Sequence, residues 1–326
     1  MDVKDKTVWL AFNTSQRHQK AVARLYAGGR VVQERTIDIG PDRPFTWEVA
    51  RPAGVPEEEL RAALFSAAGK ELVSYTPKKP ANEPMPPAVQ PPPPPEKVAT
   101  IEELYLAGLR LEQFFNPALE PEPYYLEALR RDPNDYRVNV AIGIRYFKRG
   151  MFEEAEAAFR RAIKRITHNY TMPKDGEAFY YLGSVLKAQG KLDEAYTTFY
   201  KAAWSYAFHT PAYTQLAEIE CGRKQFTVAL DHVDRAITTN NLSTHALNLK
   251  TALLRKLNRV DEAASLSAKV RAFDPLDFWA GYEGYLAKKA AGTAAEAEKE
   301  LQQLQTAMRG DAQSYLELAV NYGNAG

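Results

Sequence analysis

The 326-residue sequence has almost no cysteine, no long apolar run and no excess of charge of either sign, and each absence excludes a class of protein. Its single cysteine, Cys221, cannot build an intrachain disulfide framework or a zinc site made of several thiolates. No run of about 18 apolar residues occurs, so the sequence predicts no membrane-spanning helix. The 42 Lys and Arg residues balance 41 Asp and Glu residues, whereas a nucleic-acid binder usually carries a basic surplus.

Signatures of catalysis and of metal binding are also missing. The sequence has neither a His-Glu-x-x-His motif, nor a Gly-x-Ser-x-Gly elbow, nor a glycine loop of the kind that cradles phosphate. Cys221 falls on a predicted helix, where we expect a small buried residue. We therefore predict a protein that is not an enzyme and has no metal or cofactor. The first residues lack the apolar core of a signal peptide, which predicts a cytoplasmic location.

Residues 1–76 have the pattern of short strands separated by turns. Gly28-Gly29 suits a tight hairpin turn, since both glycines tolerate positive φ. Six short strands in about 70 residues predict a small immunoglobulin-like β-sandwich, either complete or part of a larger one. The predicted strands are Thr7–Phe12, Lys20–Tyr26, Val31–Ile39, Phe45–Val49, Leu60–Phe65 and Glu71–Tyr75.

Residues 77–97 are predicted to form a linker. Ten prolines fall within the nineteen positions from Pro77 to Pro95, and such a run can neither pair as a strand nor coil as a helix. A stiff polyproline II spacer is the favoured interpretation, because the run lies between two segments that we expect to fold. A ligand for an aromatic-lined groove is the alternative.

Residues 98–326 have helical periodicity with a period of 34 residues, which is typical of tetratricopeptide repeats. All steps between repeats are 34 residues except one of 40, which places six extra residues at about 167–174. We therefore predict about six helix hairpins, followed by a partial repeat or a capping helix. The repeats begin at Glu102, Tyr136, Gly176, Thr210, Thr244, Phe278 and Ala312.

Small and aromatic residues recur at fixed positions of this repeat. Antiparallel helices that approach to about 8–10 Å need small residues where they touch, and aromatic side chains fill the space around the contact. The pattern predicts a mostly α fold, a right-handed superhelix of helix hairpins, behind the β-sandwich. Position 8 is Gly143, Gly183 and Ala217, position 20 is Ala155, Ala195 and Ala229, and position 24 is Phe159 and Phe199 in successive repeats.

A stripe of polar and aromatic residues is the candidate binding site. In proteins of this fold the first helices of the repeats line a concave face, through positions near 2, 5, 6, 9, 12 and 13. Tyr and Arg are common anchors of protein interfaces, so the stripe predicts a groove for an extended peptide or a helix. Packing of the tyrosines between repeats or against the sandwich is the alternative. The candidate residues are Tyr180, Tyr181, Ser184, Lys187, Thr214, Gln215, Glu218, Asn248, Arg255 and Tyr282.

The order of the segments resembles a family of large bacterial proteins of unassigned function. The motifs that carry this resemblance are Glu103–Leu109, Pro121–Tyr125, Glu127–Pro133, Asp175–Gly183 and Phe273–Ala280. Members of that family carry an N-terminal sandwich similar to galactose mutarotase, then an immunoglobulin-like segment, then tetratricopeptide repeats. The resemblance implies a carbohydrate-related context, although the mutarotase-like part has no counterpart in this sequence.

Two functions from different classes follow. The first is a non-catalytic scaffold that binds a protein or peptide in its concave groove. The second is an accessory C-terminal region of a larger carbohydrate-active protein, in which the repeats bind their own parent sandwich domain. Neither involves nucleic acid or a membrane, and the oligomeric state stays open.

Overall fold

A computed structural model describes residues 1–79, 90–114, 118–169, 172 and 175–326. Residues 80–89 of the predicted proline-rich linker and half of the predicted insertion at 167–174 lie outside the described residues. The chain divides into two compact units. One contains Met1–Pro87, Lys269–Asp277 and Gln303–Arg309, and the other contains Ala88–Ala268, Phe278–Gln302 and Gly310–Gly326.

The N-terminal strands form two antiparallel sheets, with the order β1-β2-β5 in one and β4-β3-β6-β7 in the other. Buried side chains from both sheets, including Leu10, Leu25 and Leu64, make one apolar core. All six predicted strands are confirmed, and a two-residue strand precedes them. The strands are β1 Asp2–Val3, β2 Thr7–Phe12, β3 His18–Ala27, β4 Arg30–Ile39, β5 Phe45–Ala50, β6 Leu60–Phe65 and β7 Glu71–Tyr75.

The rest of the described chain is a series of antiparallel helix hairpins. Thirteen α-helices occur in the described residues, and none of them combines the length and apolarity needed to cross a bilayer. The helices are α1 Ile101–Gln113, α2 Glu122–Arg131, α3 Tyr136–Lys148, α4 Phe152–Ile166, α5 Glu177–Ala188, α6 Leu192–Ala202, α7 Tyr206–Gly222, α8 Phe226–Thr239, α9 Thr244–Lys256, α10 Val260–Phe273, α11 Phe278–Ala290, α12 Ala294–Met308 and α13 Ala312–Asn324.

The predicted repeat starts agree with the starts of the first helices to within one residue, except at α7. That helix begins at Tyr206, four residues before the predicted start at Thr210, and contains Pro211. The first four N–H groups of a helix have no intrahelical partner. Pro211 is the sixth residue, so it removes only one hydrogen bond, the one to the carbonyl of Ala207.

Turns between the two helices of a repeat recur at position 15. Gly150 and Gly190 adopt φ of 75° and 77° there, and Lys224 and Asn258 each adopt φ of 61°. A residue in this left-handed conformation ends the first helix and reverses the chain. The repeat frame therefore holds for the turns as well as for the helices.

Glycine at position 8 lets the two helices of a repeat touch. A Cβ atom added to Gly183 would lie 2.7 Å from the ring of Phe199, and one added to Gly143 would lie 2.8 Å from the ring of Phe159. Both rings are fully buried, so they have little room to move away. A small residue at position 8 and an aromatic residue at position 24 thus recur together because they touch each other across the two helices of a repeat.

We expect Gly183→Ala to destabilise the protein by about 1–3 kcal/mol, because the added methyl group overpacks the contact with Phe199. Gly222, the last residue of α7, has no atom within 4 Å of an added Cβ. Gly222→Ala is the matched control and should be neutral or slightly stabilising. Urea unfolding of both variants measures the difference, and equal stabilities would contradict the proposed contact.

The first repeat, which matches the pattern poorly at its front, makes the same contact with a shift of one residue. Gly108 lies at position 7, and a Cβ atom added to it would lie 2.5 Å from the ring of Tyr125. Tyr125 is fully buried and occupies position 24. The first repeat therefore keeps the packing contact, with its glycine one position earlier than in the other repeats.

Candidate functional site

The first helices of four successive repeats, α5, α7, α9 and α11, define a surface of the second unit that we call the inner face. Helix α5 contacts α7, and α9 contacts α11. All ten candidate residues from the sequence lie on these four helices. Their individual surroundings decide which of them are available to a ligand.

A network around the buried carboxylate of Glu218 joins α5, α7 and α9. Lys187 donates hydrogen bonds to Gln215 Oε1 at 2.9 Å and to Glu218 Oε2 at 2.5 Å. His245 Nε2 lies 2.9 Å from Glu218 Oε1. Burial alone would raise the pKa of Glu218, but hydrogen bonds and charges from His245 and Lys187 hold that pKa below its ordinary value. The network fixes three first helices to one another and leaves no charge of its own for a ligand.

A second network joins α9, α11 and α13. Arg255 donates two hydrogen bonds to the fully buried carboxylate of Glu283, at 2.8 and 3.0 Å. The hydroxyl of Tyr322 donates a third at 2.7 Å. Burial and the nearby Glu283 carboxylate raise the pKa of Tyr322, so this hydroxyl keeps its proton. The candidate residue Tyr282 packs 5.6 Å from the Tyr322 ring.

The two neighbouring tyrosines of α5 have different roles. Tyr181 stacks on Phe159 of the preceding repeat, with ring centroids 5.9 Å apart. Its ring packs between repeats, which is the alternative that the sequence left open. Tyr180 packs against Phe199 and Phe208, but it also lines an open pocket.

Three small polar candidates are hydrogen-bonded or buried within the repeats. Ser184 donates to the carbonyl of Tyr180 at 3.0 Å, and Thr214 donates to the carbonyl of Thr210 at 2.8 Å. The side chain of Asn248 is buried. Of the three, only Thr214 also lines the pocket.

The pocket has a volume of about 510 Å³ and opens where α5, α7 and α9 meet. It brings together three candidates, Tyr180, Thr214 and Gln215. Sequence reasoning missed the other lining residues because it placed the start of α7 too late and considered only the stripe of the first helices, whereas Thr239, Asn240 and Ser243 lie at the end of α8 and before α9. The lining residues are Tyr180, Tyr206, Ala207, Thr210, Pro211, Thr214, Gln215, Thr239, Asn240, Ser243 and His245.

His232 is a buried histidine on α8 that the sequence did not single out. Its Nε2 lies 2.9 Å from the hydroxyl of Tyr196, and the rings of Tyr200 and Tyr213 pack around it. Burial lowers the pKa of His232 below its ordinary value of 6.5, with smaller contributions from neighbouring charges. The neutral imidazole is therefore the form that the fold favours.

We expect the chain to lose stability as the pH falls from 7.5 to 5.5. Because the folded-state pKa of His232 is lowered, its contribution is complete above 6.5 and is lost as the pH falls through the folded-state value. His232→Gln should reduce this pH dependence, whereas His168→Gln, at an exposed loop position, should keep it. Urea midpoints at the two pH values test this, and an unchanged pH dependence in His232→Gln would count against it.

Within the described residues, no three His, Cys, Asp or Glu side chains are grouped so that they could hold a metal ion. The inner face presents hydroxyl, amide and aromatic groups at the pocket, and its charged candidates Lys187, Glu218 and Arg255 are each held in an ion pair.

Two family models match parts of the chain. Residues 1–75 match the model described as YphG-like protein, second domain. Residues 122–165 and 140–207 match the tetratricopeptide repeat. The repeat match begins at the second helix of the first hairpin and covers the next two hairpins, where the contacts of Gly143 and Gly183 lie.

Solved structures share the fold of the helical part at low sequence identity. PilF of Pseudomonas aeruginosa is 16% identical, with a TM-score of 0.55 over 68% of this chain and 96% of that chain. PilW, a widely conserved type IV pilus biogenesis factor, is 17% identical, with a TM-score of 0.55 over 68% and 97%. The C-terminal part of a repeat-containing protein from Cytophaga hutchinsonii is 12% identical, with a TM-score of 0.52 over 68% and 82%. At such identities the likeness shows the fold alone. The helical part of the chain has the tetratricopeptide-repeat fold, and a small antiparallel β domain precedes it in the sequence.

Proposed function

We propose that the chain is a non-catalytic scaffold that binds an extended segment of another protein on its inner face. The observation that carries this proposal is the pocket of about 510 Å³ at the meeting point of α5, α7 and α9. Stacked helix hairpins create extended surfaces of this kind, and peptides bind in such grooves through a few anchors.

The chemistry of the pocket favours an uncharged peptide segment. Hydroxyl and amide groups of Thr210, Gln215 and Ser243 line it. The nearby carboxylate of Glu218 is already bound by Lys187 and His245. The carbonyl of Ala207 lacks the donor that residue 211 would supply, because proline has no N–H. Backbone N–H groups of a peptide supply such donors. Tyr206, which is 78% exposed, is positioned to cover an apolar side chain of the ligand.

A displayed library of random peptides, selected against the full chain, tests the proposal. Fluorescence anisotropy then measures the affinity of a selected peptide for two variants. We expect Tyr206→Ala to weaken binding about five- to thirtyfold, the loss of an aromatic anchor. Trp204→Ala is the matched control, because Trp204 is 55% exposed and does not line the pocket. Equal effects of the two substitutions, or a library that yields no binder, would overturn the proposal.

The second candidate function is an accessory region of a larger carbohydrate-related protein. The match of residues 1–75 to a model named as the second domain of YphG-like proteins supports only the larger protein, because a second domain has another domain before it. The reading frame upstream of Met1 tests this candidate. A sandwich similar to galactose mutarotase, in frame, supports it, and an in-frame stop codon without such a domain counts against it.

We also propose that the β domain is immunoglobulin-like and that residues 77–97 separate it from the repeats. The strand order supports the first part. Lettered in chain order, β1, β2 and β5 correspond to strands A, B and E of one immunoglobulin sheet, and β3, β6 and β7 correspond to strands C, F and G of the other. Strand β4 then extends the second sheet beside β3.

A further inference from the structure

The last helix, α13, lies against the inner face. It contacts α11, the first helix of the preceding repeat, and also α7, the first helix two repeats before that. Asp311 caps its start by accepting a hydrogen bond from the backbone N–H of Ser314 at 3.0 Å. At its other end, Lys256 of α9 donates a hydrogen bond to the carbonyl of Gly326. The segment 312–326 thus contacts three of the four helices that form the inner face.

Three residues attach this segment, and their spacing is that of one helical stripe. Leu318, Tyr322 and Ala325 occupy positions i, i+4 and i+7, the spacing by which an amphipathic helix binds in a groove. Leu318 and Tyr322 pack against the apolar cluster that contains Cys221 and Trp279, and Ala325 belongs to that cluster.

The surface beneath the stripe is formed by the repeats themselves. Glu283 is fully buried and is held by both hydrogen bonds from Arg255. Its carboxylate has room for a further donor, which the hydroxyl of Tyr322 supplies at 2.7 Å. The Tyr322 ring packs 6.0 Å from the ring of Trp279. An apolar wall and one oriented carboxylate together recognise a helix that carries a tyrosine.

The opposite side of α13 is apolar and open. Leu316 is 61% exposed and Val320 is 62% exposed, and no residue within Ala312–Asn324 is fully buried. The helix is therefore held along a narrow stripe, whereas the residues that it covers are among the most buried of the second unit. Such a contact is less extensive than those between the helices of a repeat, so we expect the repeats to stay folded when α13 detaches.

We propose that the α7–α9–α11 part of the inner face is a helix-binding site and that α13 is its resident ligand. The partner is an amphipathic helix with an aliphatic residue, a tyrosine four positions later and a small residue three positions after that. It binds by displacing α13. Because a tethered segment has an effective concentration in the millimolar range, only a partner that makes further contacts displaces it. The pocket at Tyr206 is a separate site, and neither proposal depends on the other.

The rate of Cys221 modification reports whether α13 is bound to this site. It is the only cysteine of the chain, it is fully buried, and the backbone of Gly326 lies against it. In the full chain we expect Leu318→Asp with Tyr322→Asp to raise the rate of Cys221 modification by a thiol reagent at least tenfold. The matched control is Leu316→Asp with Val320→Asp on the exposed side of the same helix, which should stay within about twofold of the parent rate.

A synthetic peptide of residues 312–326 then tests recognition. At about 1 mM, the range of the effective concentration it must replace, this peptide should return the Cys221 rate of the released variant toward that of the parent chain. The same peptide with both aspartate substitutions should not. Circular dichroism verifies that the released variant is folded. If it is not folded, Tyr322→Phe, which removes only the hydroxyl donor to Glu283, replaces it and should raise the rate severalfold. A folded variant with the parent rate, or no protection by the peptide, would overturn the proposal.

Discussion

Arg255→Ala should destabilise the protein by about 3–5 kcal/mol, since it leaves the fully buried carboxylate of Glu283 without its cation. The Tyr322 hydroxyl alone cannot replace two charge-assisted hydrogen bonds. Arg259→Ala is the matched control. Arg259 pairs with Glu262 at the surface, where both side chains are about half exposed, and an exposed pair contributes about 0–1 kcal/mol. Urea unfolding measures both variants.

The double substitution Arg255→Met with Glu283→Leu separates two contributions to the free energy of unfolding. One is the loss caused by an unpaired buried charge, and the other is the net contribution of the ion pair. Replacing a buried ion pair by apolar residues of similar size is often neutral or stabilising. We therefore expect the double variant to recover most of the stability that Arg255→Ala loses. A loss below about 1 kcal/mol in Arg255→Ala would contradict the buried position of Glu283.

Phe199→Ala should cost about 3–5 kcal/mol, because it removes a fully buried aromatic ring from the contact between α5 and α6 and leaves a cavity. Trp204→Ala, at a position that is 55% exposed, should cost far less. Thermal or urea unfolding gives both values. A cost for Phe199→Ala no larger than that for Trp204→Ala would show that position 24 does not lie in the core.

The same variant gives a second, coupled result. Gly183→Ala destabilises the parent chain through the Phe199 ring, so in the Phe199→Ala background its cost should disappear. Non-additivity of this kind requires the two positions to touch. It therefore tests the helix contact itself and not the general sensitivity of the core.

Residues that follow the 34-residue period were predictable from the sequence. The glycine at position 8 and the aromatic at position 24 occupy the places that the period assigned, and the turn recurs at position 15. The links between repeats follow the same frame. Lys187 meets Gln215, and Arg255 meets Glu283, each at a separation of 28 residues. Position 12 of one repeat thus faces position 6 of the next.

Features that depart from the period were not predictable. The early start of α7 adds Tyr206 and Ala207 to the pocket, and a frame of equal repeats has no place for them. The start of α13 at Ala312 was predicted, but its contact with α7 was not. Periodicity assigns a helix to a position in the chain, whereas side-chain packing decides where that helix binds. For the same reason the hydrogen bond from Tyr322 to Glu283 became visible only in three dimensions.

Hydrogen exchange of the full chain, with and without a peptide selected from the displayed library, tests the central claim most directly. That claim is that the inner face, at the pocket, binds a segment of another protein. We expect the peptide to slow exchange of the backbone amides at the start of α7, from Tyr206 to Thr214, and at the start of α9, from Ser243 to His245. Protection confined to the second helices α6 and α8, or to the β domain, would contradict it.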